Sequence, residues 1–385
     1  MLRRFLGVVL GTVCLLVSGC SGETVARSTS TPEPVGSPPS ALPTPAKADP
    51  DATKNVAWDE QRGRWSVFEL YRHGRYVTLE FGVTNLGDDE FGIGSTLSRR
   101  EAAEDVSGVT VRDPVGKKRY LPATFAGGCY CTSRPYTVGS GQTMYLTATY
   151  AAPPKGVEAV DVSVPQVGTF ADVPVTAEAS PRATLESPPG LPEPVASKVI
   201  QAKGGEYSGT EVYVVASVYG IYRRGSHVYV YLGVGLDGTL PYEEAAGSAG
   251  LFAASNEAAD DPSEGESTGI TLVDATRGTA HQVARVAGGK CLCSVDPTLY
   301  AYGTTIVAAT FAAPATEVEA MDVVLPHIGV FPGVPIRKGA LPEPDAPSPL
   351  PGSSYDSVSV AEPDGKGAPV KAPVVRVQAK VQPAS

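Results

Sequence analysis

Residues 108–120 read GVTVRDPVGKKRY, residues 126–131 read AGGCYC, and residues 143–175 read TMYLTATYAAPPKGVEAVDVSVPQVGTFADVPV. The same line returns as GITLVDATRG at 269–278, AGGKCLC at 287–293 and TIVAATFAAPATEVEAMDVVLPHIGVFPGVPI at 305–336. Val160, Pro165, Gly168, Phe170, Val173 and Pro174 recur as Met321, Pro326, Gly329, Phe331, Val334 and Pro335, each 161 positions further on. A repeat of this length means two copies of one folding unit.

Within each copy the apolar period is two. Val77, Leu79, Phe81 and Val83 alternate with Thr78, Glu80, Gly82 and Thr84, as in a half-buried strand. Val228, Val230, Leu232 and Val234 hold the corresponding places in the second copy. Turn chemistry separates the runs, as at Asn85-Leu86-Gly87-Asp88 and Asp113-Pro114-Val115-Gly116. No segment carries a convincing helical period. About seven short strands in each unit of roughly 120 residues predict an all-β chain of two tandem immunoglobulin-like β-sandwich domains joined by Pro-rich linkers.

Reading outward from the repeats divides the chain. Domain 1 is expected over 56–178 and domain 2 over 206–338, with a Pro-rich linker at 179–205 and a Pro/Val-rich tail at 339–385. In that tail, 374–380 (VVRVQAK) echoes 199–203 (VIQAK), so it is either one added strand or the opening of a further unit. Residues 21–55 are a tether: seven prolines among Ser, Thr and Ala leave too little apolar surface to offset ordering entropy.

Residues 1–20 carry an export signal. Arg3 and Arg4 precede an apolar run from Phe5 to Val17 that is too short to span a bilayer. The run ends in Leu16-Val17-Ser18-Gly19-Cys20, which resembles the lipobox of bacterial lipoproteins, in which the cysteine is lipidated and begins the mature chain. The general secretory route and an anchored, extracytoplasmic location at the cell membrane follow as expectations, Cys20 being the membrane contact. The formal charge of −10 disfavours nucleic acid as a partner.

Few residues offer chemistry. Gly265-Glu266-Ser267-Thr268-Gly269 fits the G-x-S-x-G elbow, but no helix follows it and no acid–histidine pair is recognisable, so chance accounts for it. His73, His227, His281 and His327 do not recur between the copies: His73 stands opposite Arg224, and His327 opposite Gln166. The second copy has an acidic insertion containing Glu243, Glu244, Asp260 and Asp261, whose spacing matches no calcium loop. Tyr229 and Tyr231 replace Thr78 and Glu80 on the outward face of a strand; they are a candidate binding surface, although such rings are more often covered by a neighbouring loop. No cofactor and no metal is expected.

The chemistry that does recur is C-x-C: Cys129-Tyr130-Cys131 and Cys291-Leu292-Cys293, each just after Gly-Gly. An even number of thiols in twin positions outside the membrane points to disulfides. In an extended strand the two Cα atoms would be roughly 6.5–7 Å apart, at the limit for a bridge, and a turn would bring them closer. A thiolate site for Cu(I) or Zn(II), and reduced or interdomain-paired cysteines, are the alternatives; within-motif closure is the expectation.

The run from the C-x-C through T-[FY]-x-A-P, [VM]-x-V-x-x-P and G-x-F-x-x-V-P resembles the immunoglobulin-like extracellular modules of actinobacterial cell-envelope proteins. Similar modules precede the peptidoglycan-binding domain in some outer-membrane-protein-A-like proteins and are related to secreted immunogenic antigen domains. The likeness covers both copies. It implies no catalytic residues, and nothing after Pro335 looks like the wall-binding domain, so wall binding does not carry over. The expectation is a non-enzymatic binding or scaffolding lipoprotein of the envelope, with an envelope protein or wall component of unknown identity as partner. Thiol-based redox or metal handling is the rival.

Overall fold

The computed structural model describes residues 50–58, 61–99, 105–125, 128–133, 137–141, 143–179, 192–203, 211–237, 267–286, 289–294, 304–341 and 371–384. The described residues are strands and turns, apart from one short 3-10 turn at Gly94–Leu97. The first copy contributes β1 (Ala52–Trp58), β2 (Gln61–His73), β3 (Tyr76–Asn85), β4 (Phe91–Gly92), β5 (Thr110–Asp113), β6 (Lys118–Phe125), β7 (Gly128–Cys129), β8 (Thr137–Val138), β9 (Thr143–Ala151), β10 (Ala159–Val164) and β11 (Gly168–Thr176). The second contributes β12 (Ala196–Lys203), β13 (Glu211–Arg224), β14 (His227–Asp237), β15 (Thr271–Asp274), β16 (Thr279–Gln282), β17 (Thr304–Ala312), β18 (Ala320–Leu325) and β19 (Gly329–Lys338). β20 (Val374–Arg376) and β21 (Gln378–Pro383) end the chain.

The alternating residues build the expected strands: Val77, Leu79, Phe81 and Val83 are buried in a core with Trp65, Leu146, Ala148, Val160, Val162 and Phe170. The strands close into a ring. The order β2–β11–β10–β5–β6–β9–β3 returns to β2 through the β2–β3 hairpin, which makes a barrel. β6 and β9 meet at the single pair Pro122↔Tyr150. The second copy repeats this order, with β13, β19, β18, β15, β16, β17 and β14 in the matching places. Among the described residues the two strands that would close its ring meet directly at the isolated bridge Val283↔Phe311, leaving a half-barrel. Those two residues lie 161 positions beyond Pro122 and Tyr150. The chain is all-β, as the period-two pattern implied.

Local devices are duplicated with the strands. Asp113 Oδ1 accepts the N–H groups of Val115 and Gly116, and Asp274 Oδ1 accepts those of Thr276 and Arg277, so a buried carboxylate folds the same turn twice. Arg72 donates to the carbonyls of Pro153, Pro154 and Val157, and Arg223 to those of Pro314 and Ala315, clamping the loop after β9 and after β17.

Some strands fall where linker was expected. β1 begins inside 21–55, β12 lies inside 179–205, and β20 and β21 lie inside 339–385. β1 and β12 complete the edges of β2 and β13, satisfying backbone groups that would otherwise be unpaired. By contacts, Ala41–Ser385 is one compact unit, so the two copies share a packed boundary.

Candidate functional site: the cysteine crossings and the seam

Each C-x-C plugs the gap where the ring is weakest. Cys129 pairs with Thr124 at the end of β6, and Cys131 bridges Ala148 on β9. Between them, Tyr130 donates its N–H to Ala123 and accepts from Thr149 N–H. The second copy matches this bond for bond: Cys291 bridges Arg285, Cys293 bridges Ala309, Leu292 donates to Ala284 and accepts from Thr310. The segment crosses from one strand to the other, so it is not fully extended. Its Cα atoms are therefore 5.1 Å apart in the first copy and 5.3 Å in the second, below the extended-strand spacing. Both pairs of sulfurs lie at disulfide distance and face the cores, while the central residue faces outward.

In the first copy the outward residue is Tyr130, which enters the seam between the copies. The outer face of β3 and β9 carries Thr78, Glu80, Thr147 and Thr149 and looked solvent-facing in the sequence. It is covered by β12, β18 and β19 of the second copy. Val330 N–H donates to Thr147 Oγ1 (3.2 Å), and the Pro326 carbonyl accepts from Ser133 N–H (2.6 Å) and Oγ (3.1 Å). Lys198 Nζ sits 2.8 Å from Glu80 Oε1, both nearly buried, and lies over the Phe331 ring. Removing either partner would strand a charge, at a cost of about 3–5 kcal/mol, so the pair fixes which faces meet.

The centre of the seam is Asp322. One of its carboxylate oxygens accepts the Gly333 N–H (2.8 Å). The other accepts the Tyr130 hydroxyl and lies 2.8 Å from His73 Nδ1, at ion-pair distance but off the line of an N–H bond. Burial, reinforced by the Asp322 charge, pushes the Tyr130 phenol well above its usual range and keeps it a donor. His73 Nε2 is 2.6 Å from Thr78 Oγ1, which in turn is 2.8 Å from Thr149 Oγ1. Tyr76, Tyr130, Val273, Ala280, Val324 and Val330 form an apolar cluster around this polar line.

Hydroxyl, imidazole and carboxylate thus stand in the order of a hydrolase triad. Thr78 is 0% exposed and Asp322 2%, so the line lies buried within the seam. Sequence reading missed it because its members come from different copies. The signal was His73 standing where the second copy has Arg224, and Thr78 and Glu80 standing where it has tyrosines.

The other singled-out residues fall as follows. Tyr229 and Tyr231 are 3% and 5% exposed, packed with Tyr219, Tyr222, Ile306 and Ala308 and with Leu341 against them, so of the two readings the covered one describes them: they lie in a buried aromatic cluster. Ser267 is buried, and among the described residues its hydroxyl has no hydrogen-bond partner. Among the described residues no group of three or more His, Cys, Asp or Glu is placed to hold a metal ion. Cys20 and the acidic insertion from 238 to 266 lie outside the described residues. No family model, no curated protein and no solved structure matches this chain.

Proposed function

We propose that the chain is a non-enzymatic binding protein of the cell envelope, anchored on the extracytoplasmic face through lipidated Cys20 and built from two immunoglobulin-like modules. The observation that carries this reading is the burial of the Thr78–His73–Asp322 line: the residues arranged as a catalytic device are spent on joining two copies into one body. The module assignment is supported by how the first long strand behaves. β2 shifts register at Val67/Glu69 and then runs parallel to β11 through Leu70 and Tyr71. β13 shifts at Val218/Gly220 and runs parallel to β19 through Ile221–Arg223. A strand that changes partners at a bulge is how a two-sheet sandwich turns its corner.

The thiol or metal reading is weakened by the cysteines themselves, which lie at disulfide distance with Cys131 and Cys291 buried. Cys20→Ala should move the protein from washed membranes into the medium, and retention on membranes would overturn the anchor. Photocrosslinkers at the exposed positions Arg112 and Thr169 of the anchored chain should give discrete adducts with an envelope component. Their complete absence would overturn the binding role.

A further inference from the structure

The last strands of the chain lie along two edges that belong to different copies. β20 runs antiparallel to β16, with Val374↔His281, Val375↔Ala280 and Arg376↔Thr279. Lys371 and Arg285 exchange N–H···O bonds in both directions at 2.7 Å, and Gln282 N–H donates to Pro373. After Val377 N–H donates to the Gly278 carbonyl, β21 continues onto β6, with Gln378↔Thr124, Lys380↔Leu121, Val381↔Tyr120, Gln382↔Arg119 and Pro383↔Lys118. Lys118 and Thr279, which open β6 and β16, are 161 positions apart, so one extended segment completes the same edge twice in succession.

This segment is held almost entirely by its main chain. The whole of β21 is exposed, Val381 at 45%, and Arg119 reaches out to Gln382 Oε1 (2.9 Å). Val375 and Val377, two positions apart, are half-buried and turn inward. They pack on the seam cluster of Tyr76, Tyr130, Val273 and Ala280. Backbone ladders for affinity and alternate side chains in pockets for selectivity are the physics of strand addition. The tail also repeats the ending of β12, itself an added edge strand: VQAK at 377–380 against IQAK at 200–203.

We propose that the paired β6 and β16 edges form a peptide-accepting site. It takes an extended segment with Val-x-Val spacing, filled in cis by residues 371–384 and in trans by the same tail of a second copy. This goes beyond the anchored-binding reading and stands whether or not Cys20 is lipidated. Residues 339–370, rich in Pro, Gly and Ser in the sequence, separate the tail from β19, and a linker of that composition and length sets an effective concentration of about 1 mM. If the intrinsic Kd is about 10 μM, the intact chain binds a free tail peptide about 100-fold more weakly than a chain whose own tail has been freed.

The test uses the full chain with a protease site inserted between 345 and 369, and a fluorescent peptide of residues 371–385 as the probe. After cleavage the chain should keep its circular dichroism spectrum, hold the cut tail non-covalently and exchange it for the probe. Uncut protein should take up the probe about 100-fold more weakly. A probe carrying Val375→Asp and Val377→Asp should bind at least tenfold more weakly than the natural one. Equal uptake by cut and uncut chains, no uptake by a folded cut chain, or undiminished binding of the Asp probe each overturns the proposal. So does unfolding on cleavage, which would make the tail an integral strand.

Discussion

Asp322 and Asp161 occupy the same place in the two copies, and comparing them isolates what the seam contributes. Each carboxylate accepts a turn N–H through Oδ1: Gly333 for Asp322, and Asp172 for Asp161. Only Asp322 also receives Tyr130 and faces His73, and it is almost fully buried. Asp161→Ala therefore removes one turn bond, worth about 1 kcal/mol. Asp322→Ala removes the same bond, leaves the Tyr130 hydroxyl unsatisfied at about 1–3 kcal/mol, and takes the carboxylate from His73. The total is about 3–5 kcal/mol, the range for breaking a buried charge contact. For a body of this size that is roughly 6–20 °C in Tm, against about 2–4 °C for Asp161→Ala. Calorimetry of both variants at neutral pH reads this directly. A double mutant with Tyr130→Phe should be non-additive by about 1 kcal/mol or more. Equal losses for the two aspartates would refute the seam as a stabilising element.

Three further outcomes follow from other positions. Burial lowers the His281 pKa from 6.5, with the Ala312 carbonyl and Asp274 opposing it. The unfolded chain therefore takes up the proton first, so this contribution is full above the unfolded value and is lost as pH falls through the folded one. His281→Gln should flatten the fall in unfolding free energy between pH 7 and 5, and an unchanged slope counts against the assignment. Gly329 and Gly168 share φ near +102° and +101°, but a Cβ at 329 would overlap Thr147 Oγ1 across the seam, whereas at 168 the nearest atom is Lys54 Nζ at 3.6 Å. Gly168→Ala should cost about 1–3 kcal/mol of backbone strain and Gly329→Ala clearly more, with equal denaturation midpoints contradicting this. Thiol labelling of the mature protein should find no reactive cysteine at 129, 131, 291 or 293 before reduction and all four after it, whereas labelling without reductant, blocked by copper or zinc, would favour metal handling.

The strands were legible because burial on one face writes a period of two into β3, β9 and β10, and because the whole pattern occurs twice. Closure of the ring was not, since it depends on one residue pair, Pro122↔Tyr150, and on the cysteine crossing beside it. The seam was hidden for a different reason. Thr78, Thr147 and Thr149 look like an ordinary wet face, and polar residues remain suitable when a partner supplies their hydrogen bonds. Tyr229 and Tyr231 could be read either way from sequence, as an open contact face or as covered rings, because large aromatic side chains at alternate outward positions suit both. The informative positions were those at which the copies disagree.

The two copies meet through unlike surfaces: the β3/β9 face of one receives the β18/β19 face of the other. Such head-to-tail contact has no built-in end, because each added unit would offer the next an identical acceptor, and an open filament would result. Both ends of this pair carry side chains unlike those that meet in the seam. Where the second copy docks with Val273, Ala280, Val324 and Val330, the first presents Arg112, Arg119, Ser163 and Thr169. Where the first receives with Thr78, Glu80 and Thr147, the second carries Tyr229, Tyr231 and Ala308, packed beneath Leu341. Neither outer face therefore repeats the chemistry of the seam face to which it corresponds.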